Sequence, residues 1–318
     1  MKQIFIVILA FALLAGCSVP QATAPAPTLE ETHFSTPEPA TAISTVQPIP
    51  SKTPSPLPFE APSATPSLRP TLAPDEWKIL PVVPAVSENA RAIYQRGLAM
   101  GNDPLHFSKV GDCQNVASYF LSTFDKHGSY TLGEQYEYLQ PTIEHFQGSW
   151  SRESLAVKGG FNVAAVLSPL RSNPDYCNKD ESPLACELRV WKPSVVFVSM
   201  ETWWGKKPAE DYEKYMRQVL DYIISQGAVP VLATKADNLE GDHKINAVIA
   251  KLAWEYDIPL WNFWAAVQPL PGQGLSEDKF HLTYAWNVFD DPVRMEKAWP
   301  VRNLTALQAL NAVYNAVK

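Results

Sequence analysis

The chain has no excess of basic residues. Its 26 Lys and Arg against 33 Asp and Glu leave a net charge of −7. That removes the electrostatic footprint of a nucleic-acid binder and any pull toward anionic lipid headgroups, and the acidic balance serves solubility. No internal repeat is present, and no second hydrophobic run follows the N-terminal one that could span a bilayer, which that run is itself too short to do. Only four cysteines and six histidines occur. His106, His127 and His145 fall in no recognisable ligand spacing and read as structural or exposed. No histidine lies near a cysteine pair at zinc-knuckle spacing, so no metal and no cofactor is expected.

The N-terminus has a clear organisation. Lys2 supplies a positive charge, residues 4–14 form an almost unbroken apolar run, and Leu14-Ala15-Gly16-Cys17 follows. The run is too short for a permanent span and fits a secretory h-region. The last four residues resemble the lipobox of bacterial lipoproteins. The resemblance implies a signal peptide over residues 1–16, acylation of Cys17, the lipid bilayer as a partner, and an extracytoplasmic place on the cell membrane or, as Ser18 would permit, the outer membrane. Several acyl chains on one residue anchor stably where one would not. The competing readings are an ordinary signal peptide that contains a cysteine, or an uncut anchor.

Residues 17–74 are rich in Pro, Thr, Ser and Ala, as in Ser51-Lys52-Thr53-Pro54-Ser55-Pro56. With few large apolar side chains they cannot offset the entropy of ordering. They read as a disordered tether reaching from ~45 Å as a coil to ~180 Å extended. Its composition also suits O-glycosylation. Residues 75–318 are long enough for one domain with a real core, expected to be monomeric. There Cys177 and Cys186 bracket a short polar loop and are expected to form a disulfide in an oxidising exterior, with metal binding as the competing reading. Cys113 is then the odd thiol.

Continuous apolar runs predict strands at residues 107–110, 161–167, 194–200, 228–233 and 258–263. Helical stripes lie between and after them: Tyr212, Met216, Val219 and Ile223 behind Pro208 and ahead of Gly227, then Ile245, Ile249 and Leu252 behind Asp242, and finally Leu307, Leu310, Tyr314 and Val317. Such alternation implies an α/β fold, a three-layer αβα sandwich around a parallel sheet, with the active crevice outside the carboxyl ends of the strands.

The predicted strand ends carry the polar residues: Gly111-Asp112-Cys113-Gln114, Glu201-Thr202-Trp203-Trp204 and Thr234-Lys235-Ala236-Asp237, with Asp278-Lys279-Phe280-His281 beyond the last strand. The first and last of these, with Gly159-Gly160 between them, resemble the blocks of the SGNH (GDSL-type) hydrolases, a flavodoxin-like fold. The resemblance spans about residues 107–281 and implies acyl transfer, usually ester hydrolysis. It puts Cys113 in the nucleophile's place, His281 as base, Asp278 as the acid orienting it, and the N–H groups of Cys113 and Gly160 at the oxyanion. A thiol at a helix N-terminus near a histidine is also where a thiolate is favoured.

Two positions depart from the family pattern. Cysteine replaces serine, and Glu201-Thr202-Trp203-Trp204 stands where an oxyanion-binding asparagine is expected. Asn162 is the candidate substitute. Trp203 and Trp204 either stack on a sugar or acyl group or simply pack. Lys235, Asp237, Asp242 and His243 read as a solvated polar loop, and Asn303-Leu304-Thr305 as a helix start that happens to match a glycosylation sequon. Two functions stay open. One is an anchored acyl hydrolase or transferase acting on an acylated glycan or small ester. The other is a catalytically lapsed module binding carbohydrate or acyl ligands at the cell envelope.

Overall fold

A computed structural model describes residues 72–203 and 207–318. Cys17, nearly all of the proposed tether, and Trp204 lie outside the described residues. Four strands form a parallel sheet: β1 (Asp103–Gly111), β3 (Pro193–Ser199), β4 (Val229–Ala233) and β5 (Leu260–Trp261), side by side in that order. A small parallel pair, β2 (Tyr130–Thr131) with β6 (Asn287–Val288), stands apart from it. All seven residues of β3 are buried, as expected of a central strand covered on both faces.

Helices cover both faces. On one side α1 (Glu88–Ala99) packs against α7 (Ala298–Val317), which also touches α2 (Gln140–His145) and α6 (Phe263–Val267). On the other, α3 (Pro183–Trp191) meets α4 (Ala209–Ser225), which meets α5 (Lys244–Glu255). The result is the αβα sandwich expected from the alternation of apolar runs and amphipathic stripes. Among the described residues no helix is long and apolar enough to cross a membrane.

Gly111, at the end of β1, pairs with Ser199 of β3 on one edge and makes a parallel bridge to Val157 on the other. The chain therefore leaves β1 in opposite directions, through Val157 and through β3. That makes the carboxyl end of β1 the switch point at which ligand crevices form in open α/β sheets.

Several local expectations are corrected. Residues 161–167 form no strand, because Asn162 Oδ1 accepts the N–H groups of Ala164 and Ala165 and turns the chain into a short 3-10 segment. The strand expected over 258–263 is only Leu260–Trp261, since Asn262 caps α6 through the Ala265 N–H. Pro208, expected from its place ahead of the stripe to open the first helical turn, is instead the N-cap of α4. His243, in the left-handed region, caps α5, while Asp242 accepts the Lys244 N–H from one residue earlier. Asn303 lies inside α7, buried, so it neither starts a helix nor presents a sequon. Cys177 and Cys186 are bridged, with Cα atoms 5.3 Å apart, and Cys113 is free. The bridge takes both sulfurs of the one group of possible metal ligands among the described residues, Cys177, Glu181 and Cys186.

Candidate active site

The turn after β1 joins four segments. Gly111 donates to Ala156 O (3.1 Å) and accepts from the Lys158 N–H, which seats the exposed turn carrying Gly160. Asp112 is fully buried. Its Oδ2 accepts the N–H groups of Glu201 (2.8 Å) and Thr202 (2.7 Å) and the Thr202 hydroxyl (2.8 Å), clamping the exit of β3. Gln114 Nε2 donates to Phe280 O (3.0 Å), the residue before His281. Asn115 Nδ2 donates to Ser199 O (2.8 Å). A Cβ on Gly111 would lie 2.0 Å from Asn115 Nδ2, so only glycine allows that last bond. Within Asp112–Asn115, Cys113 is the residue whose side chain makes no such tie among the described residues.

Asp278 and His281 meet directly. Asp278 Oδ2 meets His281 Nδ1 at 2.5 Å, and Asp278 Oδ1 accepts the N–H groups of Phe280 (3.0 Å) and His281 (2.9 Å). The contact with His281, helped by those two amides, holds the Asp278 carboxyl down at about 2. Both side chains are exposed. Taking Nδ1 in that contact leaves Nε2 as the nitrogen available to a substrate or nucleophile.

The floor of the site is different in kind. Glu201 Oε1 accepts the Ser199 hydroxyl (2.9 Å) and faces Arg302 Nη2 at 3.0 Å, with both charged groups buried. Arg302 also donates to Ser199 Oγ (2.8 Å), and its guanidinium lies 4.7–5.2 Å from the rings of Phe120, Trp261 and Phe263. Burial lifts the Glu201 carboxyl to about 7, with Asp112 and Asp237 adding to the rise and Arg302 opposing it. The Cys113 thiol is pushed up to about 12, first by burial and then by Asp112 and Glu201. The shift runs opposite to the expected favoured thiolate. Two carboxylates crowd the sulfur, and only a three-residue 3-10 turn, Cys113–Asn115, follows it in place of a full helix dipole.

Of the two readings of Trp203, the structure takes packing. Trp203 is buried against Tyr212 and Tyr215, and its indole N–H donates to Pro208 O, so it packs. Trp204 lies outside the described residues. Asn162 Oδ1 accepts within its own turn, and its Nδ2, the group an oxyanion would need, donates to no acceptor among the described residues. The loop after β4 is solvated only in part, with Asp242 exposed and Lys235 and Asp237 buried. Lys235 Nζ is buried between Asp237 (2.7 Å) and Glu240 (2.6 Å), and His243 packs between Trp77 and Trp264. Arg302 is a site residue that no motif marks, although it is the sole charge in the twenty-residue helix α7. A lone charge in an otherwise apolar helix is the signal that could have found it.

No family model matches the chain, and no curated protein does. The chain is similar to a solved GDSL-like lipase from Bacteroides thetaiotaomicron. The match has 13% identity and a TM-score of 0.39, and covers 70% of this chain and 97% of that one. At that level the likeness bears on neither activity nor site residues, and the fold class rests on the sheet itself.

Proposed function

We propose that the chain is an acyl hydrolase or transferase of the esterase type, with Cys113 as nucleophile, His281 as base and Asp278 as the acid that orients it. The observation that carries this reading is the Asp278–His281 pair, on a loop tied through Phe280 to the residue next to Cys113. With its thiol pushed up to about 12, Cys113 rests protonated at neutral pH. Attack is then of the general-base kind. The S–C bond forms as the thiol proton passes to His281 Nε2, the ester C–O bond breaks, and the alcohol leaves with that proton. Water, deprotonated by the same imidazole, attacks the thioester carbonyl; the C–O bond forms, the C–S bond breaks, the acid leaves and the Cys113 sulfur takes the proton back from His281. The Gly160 N–H, which has no acceptor among the described residues, and the Cys113 N–H are the proposed oxyanion donors. Anchoring through acylated Cys17 at the outer face of a membrane belongs to the same proposal, as does a monomeric state.

A second reading has an observation of its own. Glu201 sets a carboxylate where the resemblance expects a neutral oxyanion donor, which favours a lapsed module that binds without turning over. Aryl acetates separate the two. A general-base site turns over, keeps turnover within about tenfold in Cys113→Ser, and loses it in Cys113→Ala and His281→Ala. Turnover no higher than in Cys113→Ala would leave the lapsed module. Alkylation by iodoacetamide should be slow at pH 7 and rise about tenfold per pH unit up to pH 10, since only the thiolate reacts. Fast alkylation at pH 7 would refute the protonated resting thiol.

A further inference from the structure

Beside the Cys113 turn and the His281 loop stands a ladder of aromatic rings that no part of the mechanism uses. Trp299, at the start of α7, stacks on Tyr119 with centroids 5.3 Å apart and planes 23° from parallel. Tyr119 meets Tyr284 edge-on at 6.3 Å, and Tyr284 meets Trp286 at 5.9 Å. Exposure climbs outward along the series, from 7% at Trp299 to 50% at Tyr119, 53% at Tyr284 and 64% at Trp286. Tyr119 closes the segment that begins at Cys113, and Tyr284 is three residues past His281.

The ladder is held firmly. Asn303 accepts the Leu121 N–H (2.8 Å) and donates to Tyr119 O (3.1 Å) and Asn287 Oδ1 (3.0 Å). Thr283 caps α7, its hydroxyl accepting the Ala298 N–H and its carbonyl the Trp299 N–H. One helix end therefore fixes both ring-bearing segments, while Arg302, one turn on, supports Glu201 beneath Cys113.

We infer that Tyr119, Tyr284 and Trp286 form the subsite that receives sugar rings of the substrate, making it an ester of a carbohydrate. The inference rests on the hydrolase reading and adds the substrate class to it. The polar atoms decide the class. Of the buried indoles, those of Trp150, Trp203 and Trp261 donate to an acceptor inside the fold, while that of Trp77 has none. Tyr119, Tyr284 and Trp286 are exposed, so their hydroxyls and indole N–H can reach the hydroxyls of a ligand. Successive planes turned by 80° and 69° give separate ring faces instead of one continuous floor. No exposed large aliphatic side chain from residues 113–121 or 277–292 widens the patch. Three rings fall well short of the roughly 800 Å² a stable protein partner covers, and they offer no flat apolar surface to a bilayer.

The full chain is titrated with cellotetraose, chitotetraose and xylotetraose, following tryptophan fluorescence. At least one should bind, with affinity falling roughly fivefold in Trp286→Ala and in Tyr284→Ala and largely kept in Trp286→Phe. Leu170→Ala, a control at an exposed site elsewhere, should leave it unchanged. With acetylated xylotetraose as substrate, Trp286→Ala should raise KM about as much while kcat holds. Flat titrations with all three sugars, or binding indifferent to Trp286→Ala and Tyr284→Ala, would overturn the inference. If aryl acetates turn over while the titrations are flat, the sugar subsite alone fails. If sugars bind through these rings while no ester turns over, the hydrolase reading alone fails.

Discussion

Beneath Cys113, Asp112, Glu201 and Arg302 are buried and bonded to one another's segments, whereas Asp278 and His281 stand exposed at the rim. Both halves pair charges, yet the pairing does different things. In the floor each charge has left water, so its partner offsets a desolvation cost of several kcal/mol and the geometry is fixed by that need. At the rim, water still solvates both groups. The contact there sets the direction of an imidazole and adds little to stability. Structural charge and chemical charge are thus separated by burial within a single site.

The largest expected effect comes from breaking the floor. Arg302→Met leaves Glu201 buried without its cation and should cost about 3–5 kcal/mol, read from urea denaturation. Adding Glu201→Gln in the same chain should recover much of that loss, because a neutral side chain needs no counter-charge. A loss under about 1 kcal/mol for Arg302→Met alone would mean the pair does not hold the floor.

Next in size is a pH effect of the same pair. The Glu201 carboxyl sits at about 7 in the folded chain, above its ordinary 4.5. Between those values the folded state keeps a proton that the unfolded state releases, so stability falls as pH rises through the window, by up to about 3 kcal/mol. Urea midpoints at pH 5 and pH 7.5 measure the fall, which Glu201→Gln should flatten. Arg302→Met should also cost more at pH 7.5 than at pH 5, where protonated Glu201 needs the guanidinium less. Equal costs at both pH values would contradict a raised Glu201.

The contrast between floor and rim also explains which features are legible in the amino-acid sequence. Strands β3 and β4 and helices α4 and α7 announce themselves because buried parallel strands are continuous apolar runs and helices carry periodic stripes. The turn residues Gly111–Asp112–Cys113 and the Asp278–His281 spacing are legible because they are local. The floor is not local. Glu201 and Arg302 meet across 101 positions of chain, and no short motif encodes a contact between a strand exit and a terminal helix. The ring ladder is hidden for the same reason, since Tyr119 and Tyr284 come from segments far apart. The adjacent pair Trp203-Trp204 draws attention by sequence proximity, yet Trp203 packs inside the fold.

The smallest expected effect is at the rim, and its smallness is the point. His281 is exposed and touches Asp278 in a contact that water can replace, so His281→Ala should move the urea midpoint by no more than about 0.5 kcal/mol's worth. On the hydrolase reading, the same change abolishes aryl acetate turnover. A residue that matters to turnover and not to folding belongs to the chemistry. Should His281→Ala destabilise the chain as Arg302→Met does, the imidazole would be holding the Gln114–Phe280 tie in place, and the division of labour between rim and floor would not stand.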